Sequence, residues 1–156
     1  KWHMIGHLQT NKVIEAVRLF DLIQSVDSVR LAEAISKEAG KINKHQDILL
    51  EVKTSPEESK FGLKPEDTFA VFHKISQLPH LNIKGLMTIA PLADNPKTSR
   101  PYFRTLRELS NKIEWRPETS DHRPIVSMGM SDDFAVAIEE GANMIRLGRA
   151  IFESQE

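Results

Sequence analysis

Residues 124–152 read PIVSMGMSDDFAVAIEEGANMIRLGRAIF, and the order of elements within them decides the fold class. An apolar run from Pro124 stops at Gly129, a short helical pattern follows, and a second apolar run stops at Gly148. Strand, glycine turn, helix, strand and glycine turn is the pattern of an α/β chain. Two such turns side by side make a candidate phosphate cradle. Amides at helix N-termini point outward unpaired and carry partial positive charge.

The same alternation runs back to the start of the chain. Trp2–Gly6 reads as a strand, and a helical pattern from Leu8 to Phe20 sets Leu8, Ile14, Val17 and Phe20 on one stripe. Leu22–Val26 is strand-like. Asp27 or Ser28 then caps a helix in which Val29, Ala32, Ile35 and Ala39 share a face, and Gly40 ends it. In Asp47–Lys53, Ile48, Leu50 and Val52 alternate with Asp47, Leu49, Glu51 and Lys53. A polar loop, 54–64, leads to Pro65, Glu66 and Asp67, which suit a helix start; Phe69, Phe72 and Ile75 of that helix face the core. Asn82–Ile89 is the next strand, and Pro101 opens a helix striped by Tyr102, Phe103, Leu106, Leu109 and Ile113.

Six strand candidates and five helices in strict alternation imply parallel strands joined by crossovers. Either an open doubly wound sheet or a (β/α)8 TIM barrel satisfies that pattern. Open parallel sheets are apolar on both faces, whereas here Glu51, Lys53 and Arg146 place charge on the alternate face. No GxGxxG turn follows the first strand, and no GxxxxGK[ST] loop occurs. A barrel is predicted, with six strands where eight are needed.

At 156 residues the chain suits one domain, with 40% hydrophobic and 28% charged residues, as is ordinary for a globular protein. A formal charge of −1 gives no electrostatic footprint for nucleic acid or an acidic membrane surface. No apolar run reaches membrane-spanning length. The absence of cysteine excludes disulfides and thiolate metal sites, and fits a cytoplasmic location. The six histidines show no metal-ligand spacing, so no metal is assigned. The chain opens on Lys1 and enters a strand at once, as though an upstream segment had been removed.

Five runs then carry a resemblance: WHMIGHLQTNK (2–12), EESKFG (57–62), GLMTI (85–89), SMGMSDDF (127–134) and IRLGRAIF (145–152). In this order they resemble the pyridoxal-phosphate homeostasis proteins (YggS/PROSC-like), single-domain relatives of the alanine racemase barrel. The resemblance implies an alanine racemase-type N-terminal barrel that binds pyridoxal 5′-phosphate (PLP) and manages its supply without turnover. It also implies that two strand–helix units, roughly 60–80 residues, precede the first strand here. The six units of this chain are then the third to eighth, and residues 1–156 form one partial PLP-binding domain. The lysine that bonds PLP covalently belongs to the first unit and is absent.

The resemblance assigns site residues. Ser131, beside Met130, is either a helix cap or a phosphate ligand, and the resemblance favours phosphate. Asp132 and Asp133 are then expected to point away from it. Gly148 and Arg149 form the second arm, where relatives have a hydroxyl residue after the glycine; Arg149 keeps the amide and adds a cation. Arg146 is read as interior by alternation, either addressing the ring nitrogen of PLP or paired with Glu51. Lys60 is either a solvated loop charge or a contact near the ring. Met87 stands at a strand end near the pocket, and Lys53 is a candidate substitute amine. A PLP enzyme of the racemase type is the alternative, but it needs an acid/base tyrosine, and the single tyrosine, Tyr102, starts a helix. An incomplete barrel also exposes sheet edges, so self-association is expected.

Overall fold

A computed structural model describes residues 1–57, 61–115 and 123–153. Five strands form one parallel sheet: β1 (His3–Met4), β2 (Leu22–Val26), β3 (Gln46–Glu51), β4 (Leu81–Met87) and β5 (Ile125–Ser127). Their spatial order is β1-β2-β3-β4-β5, the order of the sequence. A doubly wound sheet reverses its strand order at a switch point, and this sheet does not. It is an arc of a barrel.

Helices α1 (Val13–Leu19), α2 (Val29–Lys41), α3 (Thr68–Ile75), α4 (Arg100–Lys112), α5 (Phe134–Glu139) and α6 (Arg149–Phe152) follow successive strands. The main core joins Val17, Ile35, Ile75, Phe103 and Ala137 of the helices to Ile23, Ile48, Leu50, Leu86 and Val126 of the strands. A second cluster, Leu22, Leu49 and Met87, lies on the other face, with Ile89, Ile125 and Met144 against it. Strand alternation thus divides an outer, helix-covered layer from an inner one. Phe103 and Leu106 of α4 are wholly buried. Each such side chain contributes about 1.5–3 kcal/mol, so α4 is a firm backing for the loops in front of it.

Ser28 caps α2, accepting the amide of Leu31 at 3.3 Å. Three boundaries differ from the sequence reading. The first helix begins with a 3-10 turn, Thr10–Lys12, which rotates the buried stripe to Val13, Ala16 and Val17 and leaves Ile14 exposed. Gly40 does not end α2, which continues to Lys41; the chain turns at Asn43, whose φ is 52°. The sixth strand shrinks to one parallel bridge, Ser127 to Met144. Met128 N–H donates to Met144 O at 3.1 Å and Arg146 N–H to Gly129 O at 3.1 Å. Gly129, with φ of 88°, turns β5 away before the ladder can extend.

Candidate functional site

Gly129 sets the first loop. A Cβ there would lie 2.5 Å from the Ala137 Cβ and 3.0 Å from the Phe134 Cα, so only glycine lets the turn press against α5. Asp133 stands at the N-terminus of α5, and its carboxylate accepts the amide of Met130 at 2.7 Å. Ser131 is therefore not the cap of α5. Its Oγ crosses to the second loop and accepts the amides of Gly148 at 3.3 Å and Ala150 at 3.2 Å. Asp132 does not point away either: it pairs with Arg149, tying the same two loops together.

These loops line a cavity of about 560 Å³ with Met130, Ser131, Gly148 and Arg149, closed on the other side by Ile89 and Leu92. Gly148 has φ of −121°, and a Cβ on it would meet nothing within 4 Å. Its backbone is open to a ligand. Beside it, a cavity of about 510 Å³ is lined by Arg146, Gln24 and Met144, and it shares Met130 and Gly148 with the first.

Arg146 lies inside, 9% exposed. Nη1 donates to Ser127 Oγ at 2.8 Å and Nη2 to Thr88 O at 2.8 Å. Ser127 Oγ donates onward to Gln24 Oε1 at 2.6 Å, and Thr88 Oγ1 donates to Val52 O at 2.7 Å. One network therefore joins β2 and β5 to Val52 and Thr88, the residues that directly follow β3 and β4, around the guanidinium. Two of its five N–H donors are engaged in this way, and Arg146 lines the cavity of about 510 Å³. Burial lowers the Arg146 pKa, opposed by the charges of Asp133 and Glu51.

Glu51 is on the inner face, 7% exposed, but it forms no ion pair with Arg146 within 4.0 Å, so the cross-interior pair does not exist. Burial first, then the Asp27 carboxylate, pushes the Glu51 pKa up to about 7, while Arg146 pulls against them.

Other sequence candidates are placed as follows. Met87 is fully buried in the inner cluster and does not line the cavity of about 560 Å³; the closed packing of Leu22 and Leu49 around it replaces the expected opening. Lys60 lies outside the described residues. Lys53 lines a separate cavity of about 180 Å³ with Glu51. Tyr102, on α4, is not among the residues lining the cradle cavity. Among the described residues no group of three His, Cys, Asp or Glu could hold a metal, and no helix is long and apolar enough to cross a membrane.

Sequence reasoning missed Gln24, Thr88 and Ser127. The signal was a polar residue on the inward face of otherwise apolar strands. It also missed Glu140, 3% exposed, which accepts from Arg100 at 2.8 Å and from Arg104 at 3.2 Å, locking α5 against α4 behind the cradle.

An in-order parallel arc with two loops bridged by a hydroxyl and a buried arginine is the architecture of a barrel protein of the α/β class. The alanine racemase N-terminal domain family matches residues 1–155. The pyridoxal phosphate homeostasis protein of Aquifex aeolicus is 47% identical over 97% of this chain and 66% of its own length. That of Helicobacter pylori is 38% identical over 98% of this chain and 67% of its own. PipY of Synechococcus elongatus, solved with PLP bound, superposes with a TM-score of 0.85 at 37% identity, covering 97% of this chain and 70% of that one. Clostridium difficile alanine racemase shares the fold, with a TM-score of 0.78 at 14% identity over 98% of this chain and 39% of its own. The chain belongs to the alanine racemase N-terminal domain family, and within it to the pyridoxal phosphate homeostasis proteins. It spans about two thirds of the length of the curated relatives it matches.

Proposed function

We propose that residues 1–156 form a single PLP-binding domain that acts as a carrier in PLP homeostasis rather than as an enzyme. The observation that carries this reading is the position of Arg146. It is a buried cation with donors to spare, opening onto a cavity that meets the Ser131–Gly148 loops at Met130.

The donor set fits the group. The amides of Gly148 and Ala150 already converge on one oxygen, the Ser131 hydroxyl. Phosphate oxygens would take up those amides, with the hydroxyl turning to donate to them. Arg149 contributes its amide at this arm, because its side chain is held by Asp132. Arg146 would serve the ring nitrogen as a hydrogen-bond donor. When bound, PLP supplies an aldehyde that captures amines and a ring that withdraws electrons. An arginine donor keeps its own proton, leaves the ring nitrogen unprotonated and weakens that withdrawal. This favours holding the group over using it.

The names of the relatives and the PLP in PipY support the reading. The cysteine-free sequence supports a cytoplasmic location. The test is a PLP titration followed by absorbance, with borohydride trapping and peptide mass mapping. Saturable binding that inorganic phosphate competes away is expected. Binding that ignores both phosphate and the Arg146→Met substitution would sink the assignment, and a trapped adduct on Lys53 would relocate it.

A further inference from the structure

The Asp132–Arg149 ion pair stands beside the oxygen that a phosphate would replace. Ser131 Oγ accepts the amides of Gly148 and Ala150; Asp132, the next residue, pairs with Arg149, which lies between those two amides in sequence. The hydroxyl and the ion pair are thus neighbouring rungs between the same two loops. Both partners line the cavity of about 560 Å³. Both are also open to water: the Arg149 side chain is 58% exposed and that of Asp132 43%. An ion pair so placed is weak, at most about fivefold in an equilibrium constant.

The surrounding charges make that pair consequential. Among the described residues Arg149 is the one cation lining the cavity, against the carboxylates of Glu57, Asp132 and Asp133. Asp133 is occupied by the amide of Met130 at 2.7 Å. While Arg149 stays on Asp132, the cavity offers an anion amides and a hydroxyl but no uncommitted charge. A phosphate monoester carries about 1.5–2 negative charges at pH 7 and presents three acceptor oxygens to the guanidinium fork. A carboxylate carries one charge and two oxygens. The phosphate therefore outcompetes Asp132 for Arg149, and the displaced carboxylate, already half in water, is hydrated at little cost.

We propose that Asp132 and Arg149 form an exchange latch: the guanidinium leaves Asp132 for the phosphate when ligand binds, and Asp132 takes it back when ligand leaves. This rests on the reading of these loops as the phosphate end of the PLP site. The Arg149 amide serves that site throughout, and its side chain joins only in the loaded state. Exchange needs rotation of one long side chain and leaves the Gly148 and Ala150 amides in place. Because Asp132 competes for the cation, it holds phosphate affinity below what Arg149 alone would give. A competing carboxylate beside the cargo favours release, which suits a carrier. The latch acts on the phosphate group and ignores the rest of the ligand.

The test is competition of methyl phosphate against PLP at pH 7.5 and fixed ionic strength, in the parent, Asp132→Asn, Arg149→Met and the double variant. Asp132→Asn frees the cation and tightens methyl phosphate by about twofold to fivefold. Arg149→Met weakens it by about threefold or more, a charged hydrogen bond less the cost of opening the pair. In the Arg149→Met background the tightening from Asp132→Asn shrinks, because no cation remains to be freed. Pyridoxal, which lacks the phosphate, binds all four proteins alike. Far-UV circular dichroism checks that each variant folds. If the pair were only a staple between loops, both single variants would weaken binding, so weaker or unchanged affinity in Asp132→Asn overturns the latch. Equal tightening in both backgrounds overturns it too, since that is plain repulsion by a carboxylate. A parent that binds no methyl phosphate overturns the phosphate reading of the loops itself, and the latch with it.

Discussion

Arg146 Nη1 donates to Ser127 Oγ at 2.8 Å, across a separation of 19 residues, and Ser127 passes its own proton donor to Gln24. The guanidinium is thus held by neutral partners and not by a carboxylate. This arrangement keeps the full charge available to a ligand, because no carboxylate neutralises it at contact distance.

The first prediction follows from that placement. Arg146→Met lowers PLP affinity by about tenfold or more, since a charged hydrogen bond contributes about 1.5–3 kcal/mol. Glu51 simultaneously loses the cation that favours its ionisation, so its pKa rises above the parent value of about 7. Absorbance titration with PLP checks the first effect, and carboxyl-resolved NMR titration checks the second.

Ser131→Ala removes the acceptor on which the Gly148 and Ala150 amides converge and the hydroxyl offered to phosphate. A neutral hydrogen bond contributes about 0.5–1.5 kcal/mol, so PLP affinity falls by roughly twofold to tenfold. Inorganic phosphate should weaken in parallel, because both ligands use the same oxygens. Competition titrations read this directly. A loss confined to PLP would place Ser131 near the ring instead.

The position of Arg146 was legible because Met144, Arg146 and Gly148 alternate with Ile145 and Leu147, and a period of two assigns faces without any tertiary information. The parallel arc was legible for a similar reason: strict strand–helix alternation permits few other topologies. What holds Arg146 was not. Gln24 lies 103 residues from Ser127, and nothing local marks two polar side chains as partners when closure of the arc brings them together. For Ser131 the residues alone left a helix cap and a phosphate ligand both open, because serine satisfies either a local or a distant amide with the same oxygen. In the structure its oxygen takes the distant amides of Gly148 and Ala150, while the Asp133 carboxylate accepts the amide of Met130. The shift of the first buried stripe from Ile14 to Val13 came from a 3-10 turn, whose period of three no amphipathic count anticipates.

Glu51 makes stability depend on pH in an unusual direction. Its folded pKa is raised from 4.5 to about 7, so the folded state holds its proton more tightly than the unfolded chain. The stability it contributes is complete below pH 4.5 and is lost as pH rises through about 7. At pH 8 the difference amounts to roughly 3 kcal/mol. Glu51→Gln, which cannot ionise, should be more stable than the parent at pH 8 by up to that amount and nearly equal to it at pH 4.5. Urea unfolding at both pH values measures the gap.

Glu140 acts with the opposite sign. Hydrogen bonds from Arg104 and Arg100, in that order, hold its pKa below the ordinary value of 4.5. Its contribution is present above that value and is lost as pH falls through the folded pKa. Glu140→Gln should therefore cost roughly 1–3 kcal/mol at pH 7 and less as pH falls below 4.5, as urea unfolding at pH 7 and pH 4 would show. Because α5 carries the cradle loop, the same variant should also loosen PLP binding at pH 7.

Gly129 couples the fold to the site, and its replacement should damage both. Alanine there meets two obstacles at once: φ is 88°, and the new Cβ lies 2.5 Å from the Ala137 Cβ and 3.0 Å from the Phe134 backbone. Relief of the clash requires α5 to move or the turn to open, and either shift carries Ser131 away from the Gly148 and Ala150 amides. A cost of about 1–3 kcal/mol is expected from the backbone conformation alone, and the contact adds to it. The comparison that separates the two effects is Ala137→Gly combined with Gly129→Ala. Removing the opposing methyl relieves the contact but leaves the φ penalty, so the double variant should recover part of the stability and part of the PLP affinity. Full recovery would mean that the contact accounts for the whole defect and that the left-handed backbone does not require glycine.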